Sequence, residues 1–151
     1  MRIDPSAFND LTRAILAGAI DVHRTLGPGL LESIYLQCLQ WELAARHLRF
    51  VAQRPIPIVY KGLALDASYR VDLVVEDLVV VEVKSVAVVL PVHQAQTLTY
   101  LHITECPVGL LINFNVPRLM DGVDRLINPR ARDKEGDGGN GLARRKWRNK
   151  D

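Results

Sequence analysis

Cysteine is scarce in this chain, with only Cys38 and Cys106 among 151 residues. Their spacing makes neither a metal-ligand pair nor a disulfide framework, so a cysteine metal centre and a cross-linked scaffold are both excluded. Two reduced thiols in a cytoplasmic protein are expected instead. Long apolar runs are missing too. No stretch reaches ~18 uncharged apolar residues, so a membrane span is not expected. The opening "MRIDPSAFND" has no apolar h-region, so it is not expected to act as a secretory signal. Surplus charge is small as well, at +2, but it is unevenly placed. Residues 1–129 carry 11 basic and 13 acidic side chains, whereas residues 130–151 carry 8 and 4. A mildly acidic body with a basic tail is compatible with a nucleic-acid partner and does not by itself establish one.

What the chain does have is apolar content, 48% of residues, enough for one domain with a single core. Residues 1–129 are expected to form that domain. Residues 130–151, rich in glycine and charge, are expected to be a flexible basic tail. Within the tail, "RRKWRNK" mixes cations with Trp147, a combination able to grip phosphates and stack on a base, although a solubilising tail has the same composition.

Hydrophobic periodicity predicts the elements. "FNDLTRAILAGAIDVHRTL" spaces Leu11, Ile15, Val22 and Leu26 as a helix, with Gly18 and Ala19 leaving room for a close neighbour. "GPG" breaks it, and a second helix over "LLESIYLQCLQWELAARH" is expected to bury Leu31, Ile34, Tyr35, Cys38 and Leu39. Trp41 on that helix is expected in the core or at a dimer contact. "RFVAQRPIPIVYKG" predicts an irregular edge strand, since Pro55 and Pro57 lack donors. "LDASYRVDLVV" and "LVVVEVKSV" predict two strong strands around an acidic turn. A third helix over "PVHQAQTLTYLHIT", a buried strand "PVGLLINF" and a short strand in "GVDRLIN" complete an α/β layered domain with a mixed sheet.

One of these strands contains an anomaly. "VVVEVKSV" (79–86) reads as buried on both faces, yet it carries Glu82 and Lys84 on one side. Burying a charge costs several kcal/mol unless it is paired or bound. A two-residue turn at Glu76-Asp77 would set Asp72 against Val81. A three-residue loop sets Asp72 against Glu82 instead, with Cβ atoms about 5.5 Å apart. The three-residue loop, or an equivalent bulge, is preferred because it gathers Asp72, Glu82 and Lys84 on one face. Two such carboxylates suit Mg²⁺ or Mn²⁺, and the lysine can orient a water or offset charge on a phosphate. A salt bridge on an exposed strand accounts for the same E-x-K, and on these residues alone both readings stay open.

Further motifs bear on the choice. "GLLESIY" places Gly29, Glu32 and Tyr35 in a G-x-x-E-x-x-Y pattern, and "QTLTY" puts Gln96 and Tyr100 one helical turn apart. With Asp72 and Glu82-Val83-Lys84, these resemble the GxxExxY family of the PD-(D/E)XK nuclease superfamily, over roughly Leu11 to Asn128. The resemblance implies a restriction-endonuclease-like core, in which a mixed β-sheet is flanked by helices. It implies a divalent-metal-dependent nuclease, most readily acting on DNA, with Mg²⁺ or Mn²⁺ held by Asp72, Glu82, the Val83 carbonyl and Glu32. Lys84 takes the place of the catalytic lysine, and Gln96 with Tyr100 matches the pair that steadies such a site. Asn115 departs from the pattern, where the family often has glycine.

The residue types also have plainer roles. Glu32 favours a helix N-terminus, Tyr35 is expected to pack with its hydroxyl bonded, and Gly29 to serve backbone geometry. His23, His47, His93 and His102 show no paired ligand spacing, and Arg70 and Arg118 are phosphate-contact candidates. A nucleic-acid-binding scaffold that keeps the fold without turnover is the competing function. A homodimer is a further expectation, since so small a domain has little surface with which to clamp a duplex.

Overall fold

In the computed structural model, residues 5–66 and 69–130 are described, and the basic tail expected from residue 130 onward lies outside them apart from its first residue. Helix α1 (Pro5–Leu26) leads into α2 (Glu32–Ala45), followed by strand β1 (Phe50–Pro55). A small hairpin of β2 (Ile58–Tyr60) and β3 (Leu63–Leu65) then precedes β4 (Arg70–Val75) and β5 (Val79–Lys84). Helix α3 (Pro91–Thr104), strand β6 (Val108–Asn113), a 3₁₀ turn (Leu119–Gly122) and β7 (Val123–Ile127) close the domain.

The main sheet runs β1-β4-β5-β6-β7. β1, β4 and β5 form an antiparallel meander, α3 carries the chain across to β6 parallel to β5, and β7 returns antiparallel. This is the expected mixed sheet. Central strands buried on both faces read as apolar runs, and all six residues of β6 are buried.

Each face has its own cluster. Leu73, Val75, Val79, Val81, Val83, Leu110 and Ile112 pack with Ile15, Ala19, Tyr35 and Leu39 of α1 and α2. On the other face Val74 and Val80 pack with Tyr100 and Leu101 of α3. Two helices cover one face, whereas α3 covers the second together with Ile56 and Ile58.

Between α1 and α2, a Cβ at Gly18 would lie 3.2 Å from the Glu42 Cβ, so the glycine permits the close helix crossing expected of it. The buried stripe of α2 is rotated from the expected one. It consists of Tyr35, Leu36, Leu39 and Leu43. Leu31 (71% exposed) and Ile34 (39%) instead face outward, and so does Trp41, which is not a core residue. Three-residue and four-residue spacings from Tyr35 allow either stripe, and the tertiary contact with α1 decides between them.

The β2–β3 hairpin is a second departure. The segment expected as one irregular strand ends at Pro55, and a separate hairpin turns at Lys61-Gly62, both with positive φ. Gly62 readily takes the positive φ that such a two-residue turn demands, whereas Lys61 does not advertise it. Among the described residues, no helix is long and apolar enough to cross a membrane.

Candidate active site

The β4–β5 connection sets the site. Val75 pairs with Val79, so the loop is the three-residue Glu76–Leu78 and the register places Asp72 opposite Glu82. Glu76 and Asp77 both have left-handed φ, and the Leu78 N–H donates to the Val75 carbonyl over 3.0 Å. Leu78 is the extra residue. Without it every side chain of β5 would exchange faces.

The backbone ladder stops at Leu73–Val81, one pair short of the two acids. Their side chains take over there. The Asp72 N–H donates to Glu82 Oε1 (3.0 Å), and the Val83 N–H donates to Asp72 Oδ2 (2.8 Å). In an antiparallel strand a residue's N–H and C=O leave on the same edge, so the Val83 carbonyl faces this opened edge too. On the other side of β4 the ladder with β1 omits the same level. Gln53, opposite Asp72, has φ of 54° within a strand, a strained conformation for a side-chain-bearing residue. Regular pairing is therefore given up on both sides of Asp72.

The two carboxyl groups are close enough to perturb each other's ionisation. Burial first, and then the charge of Asp72, pushes the Glu82 carboxyl up to about 8. Asp72 is also raised, chiefly by burial, with the Val83 N–H and Lys84 opposing. Desolvation and a neighbouring like charge both disfavour the ionised carboxylate. Lys84, half-buried on the same face, acts on both acids through its charge. No ion pair joins it to a carboxylate among the described residues. The exposed salt bridge left open by the sequence is therefore not formed.

Glu32 stands apart from the pair. It is the first residue of α2 and exposed, and its Oε1 accepts the Ser85 N–H at 3.3 Å, just past the end of β5. Its charge reaches both Asp72 and Glu82. However, no three His, Cys, Asp or Glu side chains are gathered as a metal cage among the described residues. The sequence suggested Glu32 as a third ligand; in this structure it lies at the site's margin. Tyr35 holds that margin in place, as its hydroxyl donates to the Gly27 carbonyl (2.5 Å) and accepts the Leu30 N–H (3.1 Å). The Tyr35 ring stacks on Phe114 at 4.5 Å. Gly29, with φ of 98°, gives the backbone its turn into the helix. A cleft of about 480 Å³ lined by Gly29, Leu30, Leu31, Ile34, Ser85 and Asn115 opens beside Glu32.

Gln96 and Tyr100 approach from α3. The Gln96 amide donates to the Tyr100 hydroxyl over 2.7 Å. Tyr100 is 2% exposed, and burial followed by the charge of Glu82 raises its phenol to about 12. It is a neutral, oriented wall of the acid site. His93 instead caps α3, its Nδ1 accepting the Leu90 N–H at 3.0 Å. His23 is buried, with Nε2 2.8 Å from the Val116 carbonyl oxygen.

Three contributors escaped the sequence analysis. Buried Asn113 ties the segment after β5 to β6, with Oδ1 accepting the Val86 and Asn115 N–H groups and Nδ2 donating to the Val86 carbonyl. A lone polar residue ending the apolar run "GLLIN" is the signal that could have found it. Ser85 holds the α2 entry through its hydroxyl on the Leu30 carbonyl, 2.5 Å away. The third, Tyr69, meets Tyr100 edge-on at 6.4 Å.

Two acids on adjoining strands with a lysine two residues beyond the second are the signature that the sequence suggested. A family model for the PD-(D/E)XK nuclease superfamily matches residues 9–126. The chain belongs to the PD-(D/E)XK nuclease superfamily. Members of this superfamily generally use divalent metal ions. No curated protein and no solved structure matches the chain.

Proposed function

We propose that the protein is a divalent-metal-dependent nuclease that hydrolyses phosphodiester bonds in DNA. The observation that carries this is the Asp72–Glu82 pair, a half-buried and a buried carboxyl facing each other where the sheet's own pairing has been interrupted. Burying such a pair is unfavourable unless a cation compensates it. The donor set, two carboxylates beside a strand-edge carbonyl, is all oxygen and fits Mg²⁺ or Mn²⁺. Asp72, Glu82 and the Val83 carbonyl would hold the ion, with Glu32 ordering water at its margin. When bound, the ion would polarise the scissile phosphate and acidify a water.

The chain's own groups do the remainder. Lys84, free of any ion pair among the described residues, can turn its ammonium to the phosphate and offset the charge that builds there. Tyr100 stays protonated and, braced by Gln96, closes the α3 side of the site against rearrangement of Glu82. The neighbouring peptide groups are already committed to the two carboxylates, so the acids are held in orientation before substrate arrives.

Incubating the full chain with single- and double-stranded DNA and RNA in Mg²⁺ or Mn²⁺ tests this. DNA cleavage is expected, together with its loss in Asp72→Ala. Cleavage that persists in Asp72→Ala would place the activity elsewhere. Metal-dependent DNA binding with no strand scission would favour a scaffold that keeps the fold.

A further inference from the structure

Residues 1–129 carry 11 basic and 13 acidic side chains, so this body lacks the surplus of cations on which backbone-dominated binding of a duplex depends. Its exposed aromatics are placed differently. Tyr69, 46% exposed, meets Tyr100 in a T-shaped ring contact, and the Tyr100 phenol in turn feels the charges of Glu82 and Asp72. The Tyr69 carbonyl accepts the Ile56 N–H at 2.8 Å, and Ile56 is buried in the α3-side cluster. The residue is thus anchored while its ring stays at the surface. The nearby hairpin adds Tyr60, 60% exposed, with the Lys61 ammonium 5.4 Å from its ring centroid. Arg70, also exposed, follows Tyr69 directly.

An aromatic ring held at the rim of a phosphodiester site, with a cation next to it, suits an unpaired base. Stacking accepts any base because each has a π-face, and it needs the base to be free of its duplex partner. We infer that Tyr69 is a stacking platform for an unpaired base of the substrate, so that the site takes single-stranded DNA in preference to duplex. This rests on the nuclease assignment above and names the substrate form for the same site.

The test uses the full chain in EDTA and a short single strand containing a fluorescent purine analogue, whose emission is quenched on stacking, beside a duplex of the same sequence. Wild type and Tyr69→Phe are expected to bind the single strand alike and quench it. Tyr69→Ala is expected to bind it about tenfold more weakly without quenching, the scale of losing one stacked base. Duplex binding should be weaker in wild type and unchanged by the substitution. Single-strand binding and quenching retained in Tyr69→Ala would overturn the inference while leaving the nuclease assignment standing. Equal losses on single strand and duplex would also overturn it, because they would mean that Tyr69 only supports Tyr100. A wild type that neither binds nor, with metal restored, cleaves either form would overturn the nuclease assignment as well.

Discussion

Glu82→Gln is expected to reduce metal-dependent cleavage by about three orders of magnitude or more, as expected for a principal electrostatic contact, and to stabilise the metal-free protein at alkaline pH. Both effects follow from the same burial. The Glu82 carboxyl stands at about 8 in the folded chain, against 4.5 for an ordinary glutamate, because it is desolvated beside Asp72. A carboxyl raised on folding binds its proton more tightly in the native state than in the unfolded one. Its contribution to stability is complete below the unfolded value and is lost as pH rises through the folded one. Metal-free wild type should therefore lose stability between roughly pH 4.5 and 8, by up to a few kcal/mol. Glutamine imitates the protonated acid. Its carbonyl can accept the Asp72 N–H and its amide can donate to the Asp72 carboxylate, with no charge to bury. Thermal melts in EDTA should nearly coincide at pH 5 and separate by pH 9, with the variant higher. Parallel curves across that range would mean that Glu82 is not held protonated by its surroundings. Asp72, raised in the same direction, remains in the variant and leaves part of the slope.

Lys84→Ala is expected to lower cleavage by about 100- to 1,000-fold, the scale of removing one preorganised charge from a transition state. The fold should survive, since Lys84 is only half-buried and its backbone carbonyl, not its side chain, accepts the Phe114 N–H. Removing its positive charge also takes away an influence that eases ionisation of both acids. Metal affinity should stay within a few-fold of wild type, because the loss of that help offsets the relief of cation–cation repulsion. Single-turnover cleavage at saturating metal separates the two effects. A variant that cleaves as fast as wild type would remove Lys84 from the chemistry. One that cleaves normally only at raised metal concentration would reassign it to shaping the ion site.

Much of this was legible in the residues. The alternation of Val79, Val81 and Val83 against Glu82 and Lys84 fixed which side chains share a face. The demand that two acids meet then selected the odd loop that the register confirms. Helix α3, started by Pro91, was also legible to its ends. What stayed hidden depended on contacts between distant elements. The α2 stripe turned on how α1 crosses it, and the left-handed Gln53 has no local marker because glutamine rarely adopts that conformation. Glu32 matched its motif, yet the motif could not reveal that the Ser85 N–H claims one of its oxygens. Asn113 was passed over because an asparagine's value at a strand end depends on which loop folds against it.

The most direct test is calorimetric titration of Mn²⁺ into the full chain near neutral pH, in two buffers that differ in ionisation enthalpy. A paired site at Asp72 and Glu82 predicts saturable binding accompanied by proton release, since Glu82 must give up its proton to the buffer when the ion enters. Both the binding and the proton release should disappear in Asp72→Asn. No binding in wild type, or binding that neither releases a proton nor responds to Asp72→Asn, would contradict the account.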